Sequence, residues 1–529
     1  MKNKLKVILN ISLIIISLLV IFIVIRYKIS NRVFNPFVMI GEETDIITSK
    51  KSIKLSITDC IIIFISLYIL LLSIINLVRN KKYNIYIFII NLVLSFLLSF
   101  ISIFIINNYI LKKYDTNYIK HPYNSYIVSP KGIYEYDSDK KVSNEKIVGN
   151  KEDTNSILVK NGSNVTITNS KIYKYGDSKD LNVSKVYGTN SAILTLKDSY
   201  LNISNSSINT FSTGGNGLFS VLENSKIDAS LLTINTSGKE SIGIVSSINS
   251  EIKGYNVTIK TSSVSSPTLS SIRGAKMYIN GSILKTTAAS SPLISTDSII
   301  NLEDSIGDAN DSPAVYMTGN PTLKISNCKL NVTANKINEK SYDGAFILYN
   351  EFINNDYKKN SKISIYDSEI NIKKQSKVYS KAPLFSIINS NAIINISNND
   401  FNYGSNIFLN IKNTDISRNM LIVLNSDNQE INGNIELSKN TSLELNLKNS
   451  MFYGNINHNK KGEKITLNID NNSKVTLTND SYVSIINDEN KSFDNIISNG
   501  YTLYYDKEFN KELNGKTIKL SDGGKIKPI

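Results

Sequence analysis

The sequence predicts an all-β right-handed parallel β-helix preceded by three transmembrane α-helices. Two observations carry this expectation: three long apolar runs in the first fifth of a 529-residue chain, and an eight-residue pattern that keeps returning beyond residue 160. A third is the charge distribution, which separates the two parts. Residues 1–113 hold 14 Lys and Arg against four acidic side chains, a net +10, whereas the remaining 416 residues hold 45 against 41. The overall charge of +14 therefore belongs to one end of the molecule. A nucleic-acid partner, which needs basic residues gathered on the folded face, is not expected.

The apolar runs are residues 7–25, 60–78 and 85–106, each free of charged residues. Nineteen helical residues reach about 28 Å at ~1.5 Å each, enough to span a bilayer. Arg26, Tyr27 and Lys28 stand where a signal peptide would carry its small-residue cleavage site, so the first run reads as an uncleaved anchor. Lys2, Lys4 and Lys6 before the first run, and Arg79, Lys81 and Lys82 between the second and third, place both segments in the cytoplasm. The expected layout is a membrane anchor over residues 1–113, a polar connector over 114–130 and an extracytoplasmic β-helix over 131–529, capped from about residue 480. The bilayer is then the first partner. The loop of residues 26–58 runs against this orientation, since it is placed outside while carrying six basic residues. No ionisable group lies within the spans, which speaks against an ion path.

The pattern Val165-Thr-Ile-Thr-Asn-Ser-Lys-Ile172 recurs as Leu201-Asn-Ile-Ser-Asn-Ser-Ser-Ile208, Leu323-Lys-Ile-Ser-Asn-Cys-Lys-Leu330 and Ile363-Ser-Ile-Tyr-Asp-Ser-Glu-Ile370, with looser copies between and after them. Its fifth position falls at 169, 205, 231, 256, 281, 304, 327, 367 and 398, a step of 23 to 26 residues lengthened where loops are inserted. A near-constant period of this size is the mark of a solenoid. Within each unit apolar and polar residues alternate as on a strand, Ile157 and Val159 form a second such pair ahead of the Asn161-Gly162 turn, and helical spacing fits nowhere. Asn169, Asn205, Asn256, Asp304, Asn327, Asp367 and Asn398 are expected at the turn after the second strand, where Asn and Asp tolerate a left-handed backbone. Stacked amides there can hydrogen-bond from coil to coil. Ten or more coils are expected.

Residues 131–529 resemble a family of bacterial surface β-helix proteins of the pectin-lyase-like fold, described as adhesin-like. The resemblance rests on the opening Ile157–Ile172 segment, the insertion ending Tyr187-Gly-Thr-Asn-Ser-Ala192, and the closing Asn499-Gly-Tyr-Thr-Leu-Tyr-Tyr-Asp506 with Asn514-Gly-Lys-Thr-Ile-Lys-Leu520. It implies a surface location and ligand binding without established chemistry.

Because many β-helices degrade polysaccharides, catalytic groups are the next question. A uronate lyase needs a basic proton abstractor beside carboxylates, yet the repeat region offers only Arg273 and Arg418, neither next to an acidic cluster. A hydrolase needs paired carboxylates, but Glu303 and Asp304 are neighbours expected to point to opposite faces of a strand. His458 stands alone in a polar loop, and Asp308, Asn310 and Asp311 lack the ligand spacing of a calcium loop. Cys60 and Cys328 build neither a disulfide framework nor a zinc site, and Cys328 reads as a small turn residue in place of Ser. No catalytic residue, cofactor or metal is therefore expected. Tyr173, Tyr175, Tyr187, Tyr357 and Tyr403 are candidates for stacking on sugars. The function expected is non-enzymatic binding of an extracellular glycan or protein, with a polysaccharide lyase or glycoside hydrolase as the alternative.

Overall fold

The computed structural model describes residues 129–333, 344–350, 360–376, 379–414 and 419–529, together with scattered helical residues before 129. The chain divides into two compact units, the larger of which holds Val128–Ile529. That unit is a parallel β-solenoid. Three sheets run along it: one of 12 strands from Gly132–Tyr136 to Asn434–Leu437, one of 14 from Lys140–Ser143 to Ile485–Asp488, and one of 10 from Lys146–Gly149 to Asp400–Asn402. Each strand pairs with its counterpart one coil on, so a coil contributes three strands and the longest sheet counts 14 coils.

The three transmembrane helices do not stand. Most of residues 7–25, 60–78 and 85–106 lie outside the described residues, and among those described no helix is long and apolar enough to cross a membrane. The fold class is corrected to a parallel β-solenoid without them, and the membrane placement and N-terminus-inside orientation drawn from them are withdrawn with them.

The core follows from register. Val165, Leu201, Ile227, Ile252, Met277, Ile300, Leu323, Ile363, Ile394, Leu424, Leu445, Leu467 and Ile486 pair in sequence across the middle sheet. Every one of them is at most 3% exposed, which makes one unbroken aliphatic column. The first sheet departs from the expected alternation. All five residues of Asn155–Val159 are buried, because its outer face is covered as well. Leu158, Leu194, Phe219 and Val245 form a second apolar cluster there, packed against Tyr187. Tyr187 ends a seven-residue helix, α1 (Leu181–Tyr187), which the strand-only reading of this region missed. Asp180 caps it by accepting from the Asn182 and Val183 amides, and Gly188 stops it in a left-handed conformation at φ 68°. Side chains at Gly188 would collide with the Phe219 ring, so glycine is required twice over.

The corner between second and third strands is left-handed in coil after coil. Leu231 occupies it at φ 52° although it is 57% exposed, where the sister coils place Asn, Asp or Gly. Just inside this corner runs a spine of buried hydroxyls. Ser170 N–H donates to Ser206 Oγ, Val257 N–H to Ser282 Oγ, and Ser282 N–H to Ser305 Oγ, each bond spanning one coil. Cys328 takes a place in this spine, buried, with Sγ 3.2 Å from the Ser326 carbonyl and its thiol pushed up to about 11 by burial. Buried and bonded within the spine, the thiol stands in for the serine hydroxyl of the sister coils.

Lys174 is the other unusual buried group. Its fully buried ammonium donates to the carbonyls of Lys151, Tyr175 and Gly176, and burial lowers its pKa to about 8 despite the attraction of Asp153 and Asp177.

Two outcomes follow. Leu231→Asn removes a left-handed penalty of about 1 kcal/mol at little loss of burial, and should raise Tm by a few degrees. For Lys174, the unfolded chain holds the proton between pH 8 and 10.5 while the folded chain releases it. Wild-type stability should therefore rise through that window relative to Lys174→Met, and parallel melting curves from pH 7 to 10.5 would contradict it.

Candidate functional site

The middle sheet turns its alternate residues outward, and parallel register stacks them into columns along the solenoid. The central column reads Asn202, Asp228, Lys253, Tyr278, Asn301, Lys324, Ser364, Asn395, Asn425, Asn446, Asn468 and Asn487. Its last five members form an amide ladder. Asn395 Nδ2 donates to Ser364 Oγ at 3.1 Å, Asn425 to Asn395 Oδ1 at 2.9 Å, Asn446 to Asn425 at 2.8 Å, Asn468 to Asn446 at 2.5 Å, and Asn487 to Asn468 at 2.7 Å. Every bond runs in the same direction. Along the column each bond takes one N–H and one lone pair of the two that an amide has; Asn446 gives its second N–H to Glu444 at 3.1 Å, so the capacity left for a ligand lies in the second N–H of the other rungs and in the remaining lone pairs.

The ladder floors a groove of about 860 Å³. Asp427, Lys448, Asp470 and Glu489 line one side, and Phe509, Glu512 and Lys491 stand at the C-terminal end. These charges are largely engaged. Lys448 pairs with Asp427 at 2.9 Å, Lys491 Nζ donates to the Asp488 carbonyl at 2.7 Å, Asp470 accepts from the Asn449 amide, and Glu489 accepts from the Asn471 backbone and side chain. Phe509 is 53% exposed, with Lys464 Nζ 5.4 Å from its ring centre.

A smaller groove of about 380 Å³ lies over the earlier coils and includes Asp228, Lys253, Tyr255, Tyr278, Glu303 and Lys324. At its N-terminal edge the Tyr200 hydroxyl donates to Asp228 at 2.7 Å; burial and that bond push its pKa up to about 12.

The predicted turn residues sit beside these grooves, at the corner. Asn169, Asn205, Asn256, Asp304, Asn327, Asp367 and Asn398 have φ of 50°, 49°, 51°, 49°, 51°, 49° and 56°. Three coil-to-coil bonds join them, Asn205 to Asn169, Asn327 to Asp304 and Asn398 to Asp367. Glu303 and Asp304 do not diverge as expected. The left-handed turn brings Asp304 round, and one Asn280 amide donates to both carboxylates, at 3.4 and 3.1 Å.

Other candidates fall away from the grooves. His458 is exposed, with Nδ1 2.9 Å from the Asp480 carbonyl. Arg273 holds a turn whose backbone N–H donates to Asp297. Asp308 accepts from Asn331 and lies 3.7 Å from Lys373, and among the described residues no cluster of three or more His, Cys, Asp or Glu side chains is arranged to hold a metal. Tyr187 and Tyr403 pack against apolar clusters, Tyr175 stacks on Phe211 at 5.0 Å, and Lys146 sits 5.7 Å from the Tyr173 ring. Tyr357 and Arg418 lie outside the described residues, as do Cys60 and residues 114–128 of the connector.

The amide ladder is what the sequence reading missed. Its signal was present as Asn between apolar residues, Ile394-Asn-Ile396, Leu445-Asn-Leu447 and Leu467-Asn-Ile469, but the irregular 19- to 30-residue spacing of the rungs hid their alignment. No family model, curated protein or solved structure matches this chain, so the parallel β-solenoid is shown and the expected adhesin-like family is not.

Proposed function

We propose that this solenoid is a non-enzymatic binding protein that takes an extended, uncharged or amino-bearing glycan along the groove over the asparagine ladder. The observation that carries the reading is the run of five co-directional amides, Asn395, Asn425, Asn446, Asn468 and Asn487. They repeat at the ~4.8 Å spacing of strands, comparable to the length of a sugar unit. Sugar hydroxyls donate and accept at once, and amide side chains answer in kind. Many such weak contacts in register add up along a polymer.

Charge selects within glycans. The groove lining holds Asp427, Asp470, Glu489 and Glu512 against Lys448 and Lys491, and both lysines already have partners inside the protein. A polyuronate would bring a carboxylate on each sugar to a wall with no spare cation. The same point weighs against a uronate lyase, which needs a basic group free to take a proton. A hydrolase needs a protonated carboxyl within reach of the ligand. Asp488 is the groove residue whose pKa burial raises, but it is only 3% exposed and lies on the inward side of its strand.

Calorimetric titration of the full chain against soluble neutral, amino-bearing and uronate oligosaccharides tests the proposal. Binding to members of the first two classes is expected, without release of shorter sugars. The double substitution Asn446→Leu and Asn468→Leu should weaken it roughly tenfold or more, about 1.4 kcal/mol, with the circular dichroism spectrum unchanged. Selective binding of the uronates, or affinity indifferent to the double substitution, would overturn it.

A further inference from the structure

Beneath the C-terminal end of the groove, the loop after Ile485–Asp488 brings two buried polar side chains together. Asp488 is 3% exposed and Asn495 is 7% exposed. Asn495 Nδ2 donates to Asp488 Oδ1 at 3.0 Å, and the Asn490 backbone N–H donates to the same oxygen at 3.0 Å. The Asn495 amide also reaches the Ser473 carbonyl at 3.3 Å. Asp488 Oδ2 and Asn495 Oδ1 are left buried, each an acceptor without a donor. Two unsatisfied acceptors on side chains that already touch cost more than a typical hydrogen bond contributes. One proton resolves both.

We propose that Asp488 is held as the neutral acid, with Oδ2–H donating to Asn495 Oδ1 to close an acid–amide pair. The loop from Asp488 to Asn495, which carries the groove residues Glu489 and Lys491, is then secured by that proton. The charged groups around the pair do not undo it. Lys491, which favours the carboxylate, spends its ammonium on the Asp488 backbone carbonyl, Glu489 disfavours a second negative charge, and Asp494 is turned to the Ser492 hydroxyl. Burial is the largest influence on the Asp488 carboxyl and raises its pKa above the usual 3.8.

The sign of the linkage is opposite to that of an ion-paired aspartate. The folded state holds the proton more tightly, so the contribution is complete below pH 3.8 and is lost as pH rises through the folded-state pKa. Asp488→Asn supplies a permanent substitute: its amide N–H donates to Asn495 Oδ1 while its own oxygen still accepts. The stability of Asp488→Asn relative to wild type should increase from about pH 4 upward, by at most roughly tenfold in the unfolding constant per pH unit, and then level off. Asp488→Leu, which offers no hydrogen bond, should be destabilised at every pH. In the wild type, hydrogen exchange of residues 486–497, corrected for its intrinsic pH dependence, should quicken over the same range. A stability difference between Asp488→Asn and wild type that is constant with pH, or that shrinks as pH rises, would overturn the proposal. Should neither variant fold, pH-independent exchange in the wild type would overturn it instead.

Discussion

Parallel, in-register pairing of each strand with its equivalent one coil away is the constraint on which the rest of this structure depends. It places like over like, so that Ile, Leu, Val and Met meet in one inward column from Val165 to Ile486. A three-strand coil buries too little by itself to persist, and stability accrues only through its neighbours. The same pairing makes every outward position a member of a column. A surface in this fold is therefore a set of aligned rows, and a favourable contact between two coils can be repeated down the molecule.

Turn chemistry keeps those rows aligned. A left-handed residue at the corner between second and third strands reverses the chain tightly, and Asn and Asp adopt that conformation at low cost. The residue that follows points inward, where Ser both accepts the N–H of a neighbouring coil and donates to a carbonyl of its own turn, as Ser282 does at 3.0 and 2.9 Å. Buried backbone groups are thereby satisfied without water. Cys328 fits because a thiol keeps the size and, weakly, the donor of the hydroxyl it replaces.

The C-terminal half of the middle sheet shows what such alignment yields. Outward asparagines stacked coil on coil give a polar floor whose rungs point one way, with charged side chains held aside by partners within the protein. The groove is thus rich in hydrogen-bonding capacity and poor in free cations. Its far end rests on the packed Asp488–Asn495 loop, so the ligand-facing surface and the buried polar pair belong to one local structure. Beyond it the solenoid is finished by Ile518–Lys519 running antiparallel to Lys525–Pro528, the one antiparallel pairing among the described strands.

Much of this was legible in the sequence. The alternation of apolar residues, the recurring Asn-Ser corner and the near-constant period predict a solenoid of short strands, because facing and turn conformation are local properties. The long apolar runs at the N-terminal end read as membrane spans, but most of their residues lie outside the described structure, and among the described residues no helix is long and apolar enough to cross a membrane. The residue-level site depended on tertiary structure. Residues paired from coil to coil in the middle sheet lie from 19 to 40 positions apart, as Asn468 with Asn487 and Leu323 with Ile363, so no fixed period tells which outward residue lies over which. Asn395 and Asn425 are 30 residues apart, and Asn446 and Asn468 are 22 apart, yet each pair shares a hydrogen bond. The cover that α1 gives the first sheet, the approach of Asp304 to Glu303, and the meeting of Asp488 with Asn495 are likewise consequences of register and loop path. Sequence determined which side chains face in or out; only the stacked chain decided which of them meet.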